Sequence, residues 1–272
     1  MIMNSAMSIQ YPTIDPVAFA VGPLMIRWYA LAYLAGFLLG WWYARYITKL
    51  QGCERPNKDD IDDYLSWAIV GVLLGGRLGY VLFYQTHVYL ENPMEILKLW
   101  HGGMSFHGGV VGVVSSLLLF AWIKKVRVLR IADVASCAAP IGVFLGRIAN
   151  FVNGELFGKV SNVPWAMVFP HGGPDPRHPS QLYESFLEGF CLFALLAIAL
   201  HVKGLRERPG FLSGTFLAGY GGFRAIAEIF REPDFYLGPV LGELSMGQVL
   251  SVPMIIAGIY LMVRAFRKPM AA

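Results

Sequence analysis

The chain alternates between long apolar runs and short polar segments. Seven runs, near residues 24–46, 63–84, 105–123, 131–152, 182–202, 210–230 and 247–266, are each long enough to cross a bilayer, because about 20 helical residues rising about 1.5 Å each span the hydrocarbon. The pattern predicts an all-α polytopic membrane protein with seven transmembrane helices, residues 1–272 forming a single membrane domain. The first run continues past Trp41 and Trp42 without a short apolar core and a small-residue cleavage site. It therefore reads as a retained span rather than a signal peptide. Two segments between spans carry their own signals. In Glu91 to Trp100, Asn92 is placed to cap a short helix with Pro93 at its first position, and Ile96, Leu97 and Trp100 give it an apolar side suited to the interface. Residues 153–179 are rich in Gly and Pro and contain a strand-like stretch from Trp165 to Phe169. They predict a small extracytoplasmic head.

Composition strengthens the membrane reading. Hydrophobic residues make up 56% and charged residues 15% of the chain, with mean hydropathy +0.52, whereas soluble domains carry about 25% charged residues. The net charge of +4 and pI near 8.9 do not mark a nucleic-acid surface, since the basic residues sit in short loops between the apolar runs. Arg45, Lys49, Arg55 and Lys58, Lys124, Lys125, Arg127 and Arg130, Lys203, Arg206 and Arg208, and Arg264, Arg267 and Lys268 put fourteen on one side. Only five, Arg27, Lys98, Lys159, Arg177 and Arg231, fall on the other. The positive-inside rule then predicts an external N-terminus and a cytoplasmic C-terminus in a multi-pass protein of a bacterial inner membrane. Cys53, Cys137 and Cys191 are far apart in sequence, so neither a disulfide framework nor a metal knuckle is predicted.

Ionisable side chains inside spans cost about 2.5–3.5 kcal/mol near a helix centre, so each needs a partner or a purpose. Arg77, His107, Arg147, Arg224, Glu228, and Glu184 with Glu188 are such groups. Arg147 lies five residues, and Arg224 six, before the outer end of its span, at depths of about 7–9 Å in a straight helix. Tyr29 and His107 fall at similar or shallower depth, and Arg77 one helical step deeper. With no comparable density of acids expected around Arg147, two buried guanidiniums near the outer leaflet point to an anion from outside the protein, and a phospholipid head group fits. A same-helix pair of Arg224 with Glu228 is compatible with that role. A snorkelling or structural role stays open for Arg77, and that of a satisfied structural histidine for His107. His101 and His107 lack the spacing of a metal motif.

Glycines crowd the spans, at Gly71, Gly75, Gly76 and Gly79 for example, as close helix packing requires. Gly102 to Gly109, which contains His107, is too glycine-rich to have been chosen for helix propensity and implies a close backbone approach. The densest signal is Gly146 to Gly158. Arg147 and Asn150 share a helix face, Asn153-Gly154 ends the helix with the two residues most tolerant of left-handed geometry, and Glu155 follows.

Through these segments, together with Trp28-Tyr29, Gly75 to Tyr80, Arg177 to Glu184, Gly219 to Arg224, Phe230 to Asp234 and Ser245 to Gln248, the sequence resembles the prolipoprotein diacylglyceryl transferases over essentially its whole length. The resemblance implies transfer of the diacylglyceryl group of phosphatidylglycerol to the lipobox cysteine of a prolipoprotein signal peptide. A thioether forms and glycerol phosphate leaves. It further implies His107 as the base and Arg147 and Arg224 as stabilisers of the departing phosphate. Tyr29, Arg77, Asn150, Asn153, Gly154, Glu155, Gly158 and Tyr220 become substrate-binding positions, with Glu228 orienting Arg224. No metal, organic cofactor or nucleic acid is implied. A transporter would place its polar sites near the midplane, often in paired repeats, whereas these charges gather near the outer face and no repeat is evident. A noncatalytic scaffold for anionic lipid stays open on sequence grounds.

Overall fold

The computed structural model describes residues 9–51, 53–232 and 244–267. Pro233, Asp234 and Lys268, which the sequence reading drew on, lie outside the described residues. The elements in chain order are β1 (Ile9–Gln10), β2 (Val17–Val21), β3 (Leu24–Arg27), α1 (Trp28–Gln51), α2 (Lys58–Phe83), α3 (Thr86–Glu91), α4 (Phe106–Lys124), α5 (Val128–Val152), β4 (Met167–Val168), α6 (Ser180–His201), α7 (Phe211–Ala227) and α8 (Met246–Arg267). Two 3₁₀ segments, Pro93–Leu97 and Leu99–His101, lie between α3 and α4. Five helices, α2, α4, α5, α6 and α8, are long and apolar enough to cross a membrane, and they carry exposed apolar side chains such as Leu82, Val111, Trp122, Ile198 and Ile256. The chain is a mostly helical, multi-pass membrane protein. Residues 24–27, which the apolar pattern assigned to the first helix, instead form β3, paired antiparallel with β2 across a turn at Gly22. A short apolar run has no period by which to tell strand from helix.

The chain divides into two compact units, 44–134 and the combination of 1–43 with 135–272, the boundaries falling within α1 and α5. In the unit 44–134, α2 begins with a capping box. The Asn57 side chain accepts from the Asp60 amide at 2.9 Å, and the Asp60 carboxylate accepts from the Asn57 amide at 3.0 Å. Helices α2 and α4 pack backbone against backbone. A methyl group built on Gly75 would lie 2.3 Å from the Gly108 carbonyl oxygen, and one on Gly112 would lie 2.0 Å from that of Gly71.

Arg77 is buried and aims its guanidinium at the segment between α3 and α4. Nε donates to the Ile96 carbonyl at 3.0 Å, Nη2 to those of Glu95 and Lys98 at 2.6 and 3.2 Å, and Nη1 to those of Gly102 and, at 3.1 Å, Gly103. Gly103, at φ +81°, faces the Tyr80 ring and Arg77 where a side chain would collide. The Glu95 carboxylate on this segment is held below the usual range by Lys98 first and then by His101.

In the other unit, β1 pairs parallel with β4, drawing the 153–179 segment onto the N-terminal arm. The Tyr11 hydroxyl donates to the last carbonyls of α5, those of Phe151 and Val152, both at 2.7 Å. Burial raises its pKa, so it stays a donor. Helices α7 and α8 pack through Gly214, Gly221 and Gly258. Helix α6 reaches α5 through Gly189, where a methyl group would stand 2.7 Å from the Phe144 Cβ, and Ser185 donates to the Phe144 carbonyl at 3.1 Å.

The α2–α4 contact yields a direct test. Gly75→Ala should destabilise the purified protein by about 1–3 kcal/mol, as overpacking does, whereas Gly142→Ala, whose added methyl meets nothing within 4 Å, should not. Equal thermal midpoints for the two variants in detergent would show that the contact is loose.

Candidate functional site

The polar centre of the unit containing most of α5 lies where α5 and α7 end and α6 begins. Arg147 projects from the last turns of α5, Arg224 from the last turn of α7, and Arg231 from the segment just after it. Glu184 and Glu188, fully buried on α6, stand between them. Glu184 Oε2 lies 2.9 Å from Arg147 Nη2, 2.9 Å from Arg224 Nη1 and 3.4 Å from Arg231 Nη1. Glu188 is 3.4 Å from both Arg147 and Arg224. Glu228 brings Oε2 within 2.7 Å of Arg224 Nη2, a close charge contact without hydrogen-bond alignment. Its carboxylate also rests against Gly247 in the first turn of α8, where the helix dipole favours an anion.

The expectation that few acids surround Arg147 is therefore corrected. Among the described residues its ion-pair partners are Glu184 and Glu188, brought from a helix more than thirty residues further along the chain. A sequence count along α5 cannot see a partner on α6. Residues Ser185–Cys191 of α6 are a π-helix, a geometry found mostly as a local bulge and often at functional sites.

The end of α5 follows the predicted pattern. Gly154 is left-handed at φ +65°, its amide bonds to the Phe151 carbonyl, and the Glu155 amide bonds to that of Asn150. Glu155 Oε1 then accepts from the side-chain amides of Asn150 at 2.8 Å and Asn153 at 3.2 Å. Tyr29, whose hydroxyl meets that of Tyr33 at 3.2 Å, lies within electrostatic range of Arg147 and Glu155. Tyr220 stands in the same relation to Arg147, Arg224, Glu184 and Glu188. One unit thus gathers Tyr29, Arg147, Asn150, Asn153, Gly154, Glu155, Tyr220, Arg224 and Glu228.

Gly158 has a packing role. Its amide donates to the His178 carbonyl at 2.8 Å, and a methyl group there would stand 2.3 Å from the Phe230 carbonyl oxygen. Burial, with Lys159 adding to it, lowers the pKa of His178, whose Nδ1 lies 3.1 Å from the Tyr183 hydroxyl. Gln181, which the sequence reading left without a role, is buried and donates to the Glu155 carbonyl at 2.6 Å.

His107 and Arg77 belong to the unit 44–134. His107 sits in the first turn of α4, after the N-cap Ser105, and is exposed, with no hydrogen bond among the described residues. It is not a satisfied structural histidine within its unit. Arg77 has the opposite character, with all three guanidinium nitrogens engaged by backbone carbonyls.

Arg147 keeps 18% of its side chain exposed, and its Nε and Nη1 take no hydrogen bond among the described residues. Arg224 keeps 16% exposed. Two forks that already converge on one carboxylate oxygen, with donors to spare, can hold a further anion. These features define a multi-pass membrane protein with an arginine- and glutamate-rich polar centre in the unit that holds most of α5. The family model for prolipoprotein diacylglyceryl transferase matches residues 16–264, and the chain belongs to that family. Phosphatidylglycerol--prolipoprotein diacylglyceryl transferase of Azospirillum brasilense is 55% identical, over 97% of this chain and 99% of that protein. The proteins of the same name from Rhodospirillum centenum and Rhodospirillum rubrum are each 53% identical, over 97% of this chain and 98% and 97% of theirs.

Gly158→Ala should push Phe230 and Arg231 away from the 158–178 segment. A fall in thermal midpoint and faster cleavage of residues 153–179 under limited proteolysis are expected. A variant as stable and as protease-resistant as the parent would mean that the segment has room to move.

Proposed function

We propose that this protein transfers the diacylglyceryl group of phosphatidylglycerol to the lipobox cysteine of prolipoprotein signal peptides, the first step of bacterial lipoprotein maturation. Its setting is the inner membrane, crossed seven times by α1, α2 and α4 to α8 as a single membrane domain, with residues 153–179 outside and the C-terminus in the cytoplasm. The observation that carries the reading is the convergence of Arg147 and Arg224, 2.9 Å each from the same Glu184 oxygen, in a chain of this family.

The cysteine sulfur attacks the glycerol carbon that bears the phosphate. A C–S bond forms, the C–O bond breaks, and its electron pair leaves on the phosphate oxygen as glycerol phosphate. The phosphodiester, with one negative charge, becomes a monoester with more, and Arg147 and Arg224 stabilise the charge that grows. Their planar forks suit phosphate better than an ammonium does. Asn150, Asn153 and Glu155 fix the end of α5, Gly154 allows its reversal, and Tyr29 and Tyr220 supply hydroxyls for the head group. Glu228 orients Arg224. Gly158 supports the site by packing, and Arg77, within its own unit, fastens the segment that precedes α4. A thiol with pKa about 8.5 is mostly protonated at neutral pH, and His107 accepts its proton as the base.

Purified protein, mixed micelles containing phosphatidylglycerol and a lipobox peptide should yield a peptide heavier by one diacylglyceryl group. An unmodified peptide, with folded protein, would sink the proposal. His107→Gln should slow single turnover by about 10²–10⁴-fold without weakening lipid binding, and raising the pH from 6 toward 9 should recover part of the loss as the substrate thiolate fraction grows. A variant that binds lipid poorly yet transfers normally at saturation would make His107 a head-group ligand instead.

A further inference from the structure

Glu184 is fully buried and, among the described residues, is the one acid within ion-pair distance of Arg147, Arg224 and Arg231 together. Its contacts with the first two are shorter than those of Glu188, 2.9 Å against 3.4 Å. The three arginines arrive from the end of α5, the last turn of α7 and the segment beyond it, and like charges this close repel in a low-dielectric site. One carboxylate oxygen at their common centre fixes how far apart Arg147 and Arg224 stand and where their remaining donors aim.

Charge arithmetic adds a second consequence. Among the described residues, Arg147, Arg224 and Arg231 bring three positive charges to the cluster, and Glu184, Glu188 and Glu228 three negative ones when ionised. Removal of the Glu184 charge therefore makes this centre more positive by one, and Glu184 occupies a point that a phosphate oxygen between the two forks would favour. From this geometry we infer that Glu184 is a positioning residue for the transfer reaction, holding Arg147 and Arg224 in convergence while competing with the lipid phosphate for them.

The inference rests on the proposed transferase reading and predicts an unusual split in kinetics. Glu184→Gln keeps the shape and removes the charge. The forks lose their common anchor, so kcat should fall by about 100-fold, while the added net positive charge draws an anionic head group more strongly, so KM for phosphatidylglycerol should stay level or fall. Glu184→Asp keeps the charge on a shorter stem. It should lower kcat by about 10-fold with KM near the parent value, and it decides the matter alone if the Gln variant does not fold. A merely structural glutamate would lose folded protein or raise KM without this split. Both variants would be assayed as full-length protein in micelles containing phosphatidylglycerol, with folding followed by thermal melts. Parent-like kcat in either folded variant, or a raised KM with kcat unchanged, overturns the inference. Absence of transfer by the parent would instead overturn the transferase reading, which keeps the two failures distinct.

Discussion

Three guanidiniums can share a buried centre only if acids stand among them, and much of the surrounding structure follows from this. Breaking a buried ion pair by removing one partner typically costs about 3–5 kcal/mol, against a total stability of about 5–15 kcal/mol for a typical protein. The helices that carry the charges must therefore approach closely and keep their register. Gly189 permits α6 to reach the backbone of α5 at Phe144, one turn before Arg147. Gly158 lets the 158–178 segment lie against Phe230, next to Arg231. Glu228 is seated between Arg224 and the start of α8. A charge problem is thus solved largely by glycines.

Two ways of using a buried arginine stand side by side in this molecule. Arg77 directs its guanidinium wholly into backbone carbonyls, and the reward is a fixed connection between α3 and α4. Arg147 and Arg224 spend some donors on carboxylates and keep others, with part of each side chain open. The first pattern fastens the fold. The second leaves directed positive charge with donors to spare, which an arriving anion can use.

The helical content of the chain was legible because each long span announces itself by length and by its flanking polar residues. Arg147, Asn150 and the left-handed Gly154 were equally legible, since all the information lies in one helix and its cap. What the sequence did not disclose depends on separate elements meeting. Glu184 and Glu188 were visible as acids within a span, yet nothing along the chain says that they face Arg147 and Arg224, and the π-helical stretch that carries Glu188 has no sequence signature. Arg231 looked like an ordinary outer-loop charge. For Arg77 the five carbonyls belong to segments 18 to 26 residues away, so its structural role could be weighed but not read. The strand at 24–27 was hidden because three apolar residues and an arginine running into a helix look like more helix.

The central claim is that Arg147 and Arg224 act on one phosphate as a unit. A double-mutant cycle in single-turnover lipidation measures this directly, using Arg147→Lys, Arg224→Lys and both together at saturating phosphatidylglycerol. Because the two forks converge on one position, either substitution should forfeit most of the benefit, with a loss of about 100-fold, the scale of removing one charge-stabilising donor. The double variant should then be little worse than the more damaging single one. Losses that multiply, giving about 10⁴-fold in the double variant, would show that the two arginines act independently and would contradict the account.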